Sequence, residues 1–125
     1  MKFSEIQYKR PDMKLTEEKF NEYIEMFDKA ENAEVQNALM KEINELRVEF
    51  QTMNTIASIK YSIETTNAEF EAEQNFFDAA IPVYEGLITR YYNSIIKSRF
   101  RQQLEEKWGK QLFAIAEVII KTHNR

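Results

Sequence analysis

Apolar residues recur at helical spacing along almost the whole chain, and the breaks in that pattern mark the elements. Phe20, Tyr23, Ile24 and Phe27 fall on one face of a helix and predict a first helix over 16–31. Thr16 reads as its N-cap, Glu17 and Glu18 lie in the first turn, and Leu15 is placed to pack onto Phe20. After Glu31-Asn32 the pattern restarts as Val35, Leu39, Ile43, Leu46, Phe50, Met53 and Ala57, in alternating steps of four and three like a coiled-coil seam. This second helix is predicted over 34–64, on the order of 45 Å long at 1.5 Å per residue. Ile56, Ile59 and Ile63 widen the stripe near its end, which predicts burial there on more than one side.

Thr65-Thr66-Asn67 interrupts the periodicity, and Thr66 with Glu69 has the form of a capping box. A third helix follows on Phe70, Phe77, Ile81, Tyr84, Ile88, Tyr91 and Ile95, with Pro82 inside it predicting a bend near residue 78 without a break. Ser98 is placed to cap a fourth helix through Phe100, Leu104 and Trp108, which Gly109 loosens or interrupts. The first 14 residues contain Pro11 and mixed polarity and read as an extended lead-in whose Phe3, Ile6 and Tyr8 lie across the bundle.

Composition agrees. Two glycines and two prolines in 125 residues leave too few turn formers for an all-β or doubly wound fold. The expected class is all-α, an antiparallel bundle of three to four long helices. A chain of this length forms one domain, 1–125, and buries roughly two thirds of its unfolded surface without covalent staples. Zero cysteines exclude disulfides and thiolate metal sites. No apolar leader follows a basic start, and no run is long enough to span a bilayer. The expectation is a cytoplasmic protein with no membrane partner.

Candidate chemistry is sparse. A zinc peptidase needs His-Glu-x-x-His on one helix, and the single histidine, His123, stands third from the end and reads as a solvated tail residue. Glu69 and Glu73 share a helix face with Glu71 nearby, but the facing Glu-x-x-His pairs of a di-iron bundle are missing. These glutamates, like Glu105-Glu106, read as solvated charge. The stretch RYYNSIIKSRFR at 90–101 interleaves cations with aromatics as a nucleic-acid stacking surface does. Tyr91, Ile95 and Ile96 continue the core stripe, however, and the net charge of −4 disfavours a phosphate backbone, so core aromatics are the preferred reading and no nucleic-acid partner is expected. Gly86 and Gly109 are isolated and build no phosphate loop. No catalytic, cofactor-binding or metal residue is assigned.

The last helical run, LFAIAEVII at 112–120, is the exception. Leu112, Ile115, Ala116 and Ile119 form one stripe suited to the bundle core, while Phe113 and Ile120 fall on a second apolar face. Two apolar faces call for two surfaces, the second being a partner chain or more of the same chain. The candidate interface is therefore Leu112, Phe113, Ile115, Ala116, Ile119 and Ile120.

Four stretches, YKRP at 8–11, ASIKYSIETTNAEF at 57–70, EQNFFD at 73–78 and LEEKWGKQLF at 104–113, resemble, in order and over essentially the whole chain, the N-terminal region of oligoendopeptidase F-type zinc oligopeptidases, relatives of thimet oligopeptidase. The resemblance implies a helical domain that helps wall a deep channel admitting short peptides. It also implies that zinc and catalysis belong to a later helix with His-Glu-x-x-His and a further Glu ligand. None of those positions exists here, so the catalytic domain is absent and the chain alone is expected to be inactive. The partner implied is the remainder of the peptidase chain, which would cover the second apolar face of 112–120. The alternative is a self-standing helical module that self-associates through that segment.

Overall fold

In the computed structural model, which describes residues 7–123 and the side chains of 7–122, the first helix begins at Asp12, four residues before Thr16. Pro11 holds the chain before it out of helical conformation, and the Asp12 carboxylate accepts the Leu15 N–H at 3.1 Å. Helix α1 then runs Met13–Lys29, with Thr16 inside it and Leu15 half exposed. Phe3 and Ile6 lie outside the described residues. Asn32 caps α2, Ala33–Ile63, by accepting from Val35 N–H at 2.9 Å. Asn67, one residue beyond the expected Thr66, caps α3, Ala68–Lys97, and its side chain accepts both the Glu69 and Phe70 N–H groups. In each case a short Asp or Asn side chain reaches the free N–H groups of the first turn.

Helix α3 is continuous through Pro82. Pro82 removes one backbone donor, but the buried stripe of Phe77, Ala80, Tyr84, Leu87, Tyr91, Tyr92 and Ile95 passes on both sides of it and holds the helix to the core. Ser98 ends α3, and its Oγ accepts the Phe100 N–H at 3.0 Å; the next helix, α4 at Arg101–Trp108, starts after Phe100 without a side-chain cap. Ser98 is thus a C-cap and a turn residue, not the expected N-cap. At Gly109 the backbone takes φ 89° and ψ 145°, and α5, Lys110–His123, begins. Side chains rarely adopt that conformation, and no atom lies within 4 Å of a Cβ built there. Gly109→Ala is therefore expected to cost about 1–3 kcal/mol through backbone strain alone, read as a lowered urea midpoint with the helical circular dichroism retained.

The fold is all-α: three long helices and two shorter ones, with no strand among the described residues. Short connections make α1, α2 and α3 an antiparallel three-helix bundle in which each pair is in contact. Helix α4 touches α2, α3 and α5, whereas α5 packs on α3 and α4 only. The hairpin of α4 and α5 is thus a flank laid against the bundle, and this placement leaves one side of α5 open.

Phe20, Ile24 and Phe27 of α1 meet Met40, Ile43 and Phe50 of α2 and Phe77 and Ile95 of α3 in one core, all 3% exposed or less. Phe50 stacks on Tyr84 with ring centroids 4.1 Å apart and meets Phe77 edge-on at 5.5 Å. Gln36, the one buried polar residue of the described core, donates to the Phe27 carbonyl at 3.0 Å and accepts from Ser98 Oγ at 2.5 Å, so one amide joins the ends of three helices.

The far end of α2 departs from expectation. Ile56 is buried, but Ile59 is 38% and Ile63 77% exposed. At 17 residues against 31, α1 is about 20 Å shorter than α2 and cannot cover that end. The lead-in and the start of α3 reach it, with Lys60 Nζ 5.4 Å from the centre of the Tyr8 ring and 5.9 Å from that of Phe70.

Candidate docking surface

Packing α5 against α3 turns Phe113 and Ala116 fully inward, and Leu112, Ile119 and Ile120 are partly buried against the core. Ile115 and Val118 face outward, 47% and 63% exposed. Leu112, Ala116 and Ile119 of the expected core stripe thus face the core, but the second apolar face read from the sequence does not stand apart from them. Phe113 and Ile120, assigned to the second face, turn toward the core, and Ile115, assigned to the core stripe, lies outside. The reason is steric: Phe113 is the largest side chain of the run and takes the space beside α4, where the Arg101 guanidinium lies 5.4 Å from its ring centre. Arg101 also bonds Glu105 within α4 and Glu117 of α5, each at 2.8 Å, which fixes the rotation of α5. These two carboxylates hold the guanidinium above its ordinary basicity.

Val118, Ile119 and Thr122 form one wall of a groove of about 460 Å³. Its other walls are Arg47 and Gln51 of α2 and Tyr84, Glu85, Ile88, Thr89 and Tyr92 of α3. Gln51 Nε2 donates to the Tyr84 hydroxyl at 3.1 Å. The Arg47 guanidinium lies 5.6 Å from the centre of the Tyr92 ring, and its Nε is buried without a hydrogen-bond partner. Burial raises the Tyr84 and Tyr91 hydroxyls above their ordinary 10.0, with Arg47 opposing the shift, so both remain neutral. Sequence patterning did not single out Arg47, because an arginine between Leu46 and Val48 reads as the solvent side of the seam.

The glutamates divide by environment. Glu69, Glu71 and Glu106 are exposed. Glu73 instead accepts from the Tyr8 hydroxyl and from Arg10 Nε at 3.0 Å and Nη2 at 2.5 Å, so the lead-in is clamped to α3. The signal for this clamp was YKRP, which supplies both donors. Burial first, and then the Glu73 carboxylate, push the Tyr8 hydroxyl well above 10.0 and keep it a donor. Arg10 holds the Glu73 carboxyl below its ordinary 4.5, with help from Tyr8. A depressed carboxyl contributes stability that is present above the unfolded-chain value and lost as pH falls through the lower folded value. Glu73→Gln is therefore expected to flatten the acid limb of stability against pH between about pH 3 and 6. Urea midpoints across that range measure it, and the effect is modest because the Arg10 side chain is 49% exposed.

In 90–101, Tyr91 and Tyr92 are buried core residues and offer no face to a nucleotide base, and Arg90 bonds Asn21. His123 closes α5, and its side chain lies outside the described set. Among the described residues no three His, Cys, Asp or Glu side chains converge as metal ligands, and no helix is long and apolar enough to cross a membrane. The carboxylates best placed to serve, Glu73, Glu105 and Glu117, are engaged by arginines. The described residues therefore do not fit a zinc site.

Together these features define an all-helical domain with one helix flank left uncovered. Its relatives are specific. Residues 3–123 match the family described as Peptidase M3 N-terminal domain, and the chain belongs to that family. A solved structure described as PZ peptidase A with an inhibitor is 48% identical, superposes with a TM-score of 0.93, and covers 97% of this chain and 22% of its own. A putative oligoendopeptidase F from Bacillus anthracis str. Ames is 45% identical, with a TM-score of 0.93 over 98% of this chain and 22% of its own. A further putative oligoendopeptidase F is 44% identical with the same score and coverage. A comparison with curated proteins gives no match. The chain thus spans about a fifth of the length of the peptidase chains it resembles.

Proposed function

We propose that this chain serves as the non-catalytic N-terminal helical domain of an oligoendopeptidase F-like zinc metalloendopeptidase that hydrolyses short peptides, and that it forms part of the wall of the substrate channel. The observation that carries this reading is the continuous match over residues 3–123 to a peptidase N-terminal domain, at 44–48% identity to chains several times longer. Zinc and the groups that activate water belong, on this reading, to the rest of such a peptidase. The contribution of this domain is steric: a wall of packed helices excludes folded proteins and leaves room for an extended peptide.

The test has two arms. The purified chain is expected to hold no stoichiometric zinc by metal analysis and to leave an unstructured peptide uncleaved. A chimera in which residues 1–125 replace the matching stretch of the PZ peptidase A relative is expected to fold and to cleave that peptide. Zinc or turnover that tracks with the chain alone overturns the non-catalytic reading, and a chimera that neither folds nor cleaves overturns the channel-wall reading.

The exposed Ile115 and Val118 also favour a second reading, a self-standing module that associates through α5. Sedimentation equilibrium separates the two. A dimer dissociated by Ile115→Asp supports self-association, and a monomer at high concentration removes it.

A further inference from the structure

We propose that two copies of this chain exchange α5 about Gly109, so that the α5 of each packs on the α3 and α4 of the other; the proposal deepens the self-association reading above, by the buried side of α5 and not its exposed one. Gly109 alone separates α4 from α5. Its N–H still bonds the Glu105 carbonyl at 2.8 Å, so the hydrogen-bond ladder of α4 runs into it. The reversal is made by that one residue, at φ 89° and ψ 145°, and no atom lies within 4 Å of a Cβ built there, so no neighbour on that side props the bend. Helical angles at Gly109 join residues 101–123 into one helix, on the order of 35 Å long at 1.5 Å per residue. An isolated glycine within a helix is tolerated. A hinge this short favours exchange between copies, because straightening it releases the bend while every other contact can be remade on a partner.

The contacts of α5 suit such an exchange. It packs on α3 and α4 only, and the three long helices touch one another pairwise without it, so withdrawing α5 leaves the bundle core assembled. What withdrawal exposes is specific: Phe113 and Ala116, both fully buried, lose their cover, and Glu117 leaves Arg101. In a single straight helix Arg101 and Glu117 stand about 24 Å apart and cannot pair. An open chain therefore carries an apolar strip and a vacated site that receives the same strip from another copy, which is the reciprocal arrangement of a two-fold dimer. Within that dimer the 2.8 Å pair of Arg101 with Glu117, and the guanidinium 5.4 Å from the Phe113 ring, become contacts between subunits. The partner this surface fits is a second copy of the chain.

Sedimentation of the 125-residue chain, refolded from urea at low and at high concentration, tests the exchange. A dimer is expected after refolding at high concentration. Gly109→Ala is expected to raise the association constant about tenfold or more, because alanine disfavours the bend and favours the continuous helix. The ion pair identifies the mode. Arg101→Glu and Glu117→Arg each set like charges against each other and are expected to dimerise poorly alone, whereas the two refolded together are expected to dimerise, since each α5 then meets a complementary α4. Gly109→Ala combined with Ile115→Asp reads the same distinction without the pair, and its dimer is expected to survive. Monomers throughout, with Gly109→Ala included, overturn the exchange and the self-association reading together. A dimer that Ile115→Asp dissociates, with no gain on mixing the charge variants, overturns the exchange alone and assigns association to the exposed face of α5.

Discussion

Phe113→Ala is expected to lower the unfolding free energy by about 3–5 kcal/mol, a large share of the stability of a domain this size. The ring is fully buried beside α4 and under the Arg101 guanidinium, in a flank held to the bundle mainly through α3. Removing it forfeits the transfer of the aromatic surface and opens a cavity between two short helices. Because α5 packs on α3 and α4 alone, the loss is also expected to detach α5 before the bundle melts, giving a broader transition. Ile115→Ala, two residues on and 47% exposed, is expected to cost about 1 kcal/mol or less. Urea unfolding followed by circular dichroism measures both. A larger cost at Ile115 than at Phe113 would mean that α5 is rotated relative to this structure.

The second large effect is expected at Phe50. Its ring lies 4.1 Å from Tyr84 in a stack and 5.5 Å from Phe77 at an edge, so one side chain of α2 joins two turns of α3. Phe50→Ala removes a buried aromatic surface and both ring contacts, and is expected to cost about 3–5 kcal/mol. Phe50→Leu restores most of the volume without the ring geometry and should recover more than half of that loss. Tyr84→Phe keeps the stack and removes the hydroxyl that accepts from Gln51, so a cost of about 1 kcal/mol is expected. A double-mutant cycle between positions 50 and 84 isolates the stack, and a coupling below about 0.5 kcal/mol would show that burial alone accounts for Phe50.

Much of the fold was legible in the chain itself. Val35 to Ala57 in steps of four and three specify a long helix whatever surrounds it, and the observed Ala33–Ile63 differs from expectation by one residue at each end. The start of α1 was read less well, because both Asp12 and Thr16 are sound cap residues and the choice was made by Pro11 and the Asp12 carboxylate. Glu73 was read as solvated charge because its partners, Tyr8 and Arg10, are more than sixty residues away in sequence. Arg47 was missed for a similar reason: the groove that isolates it exists only once α5 has docked on α3.

By itself, the sequence determined the three long helices, the all-α class and the family, because periodicity and an ordered string of matching stretches are local properties that survive without a fold. Only the tertiary structure decided which way α5 turns. With apolar residues on both faces of 112–120, periodicity permits either rotation, and the choice fell to the volume of Phe113 and the two bonds of Arg101. The same docking left Ile115 and Val118 outside, since burial belongs to a pair of surfaces and no single helix carries it.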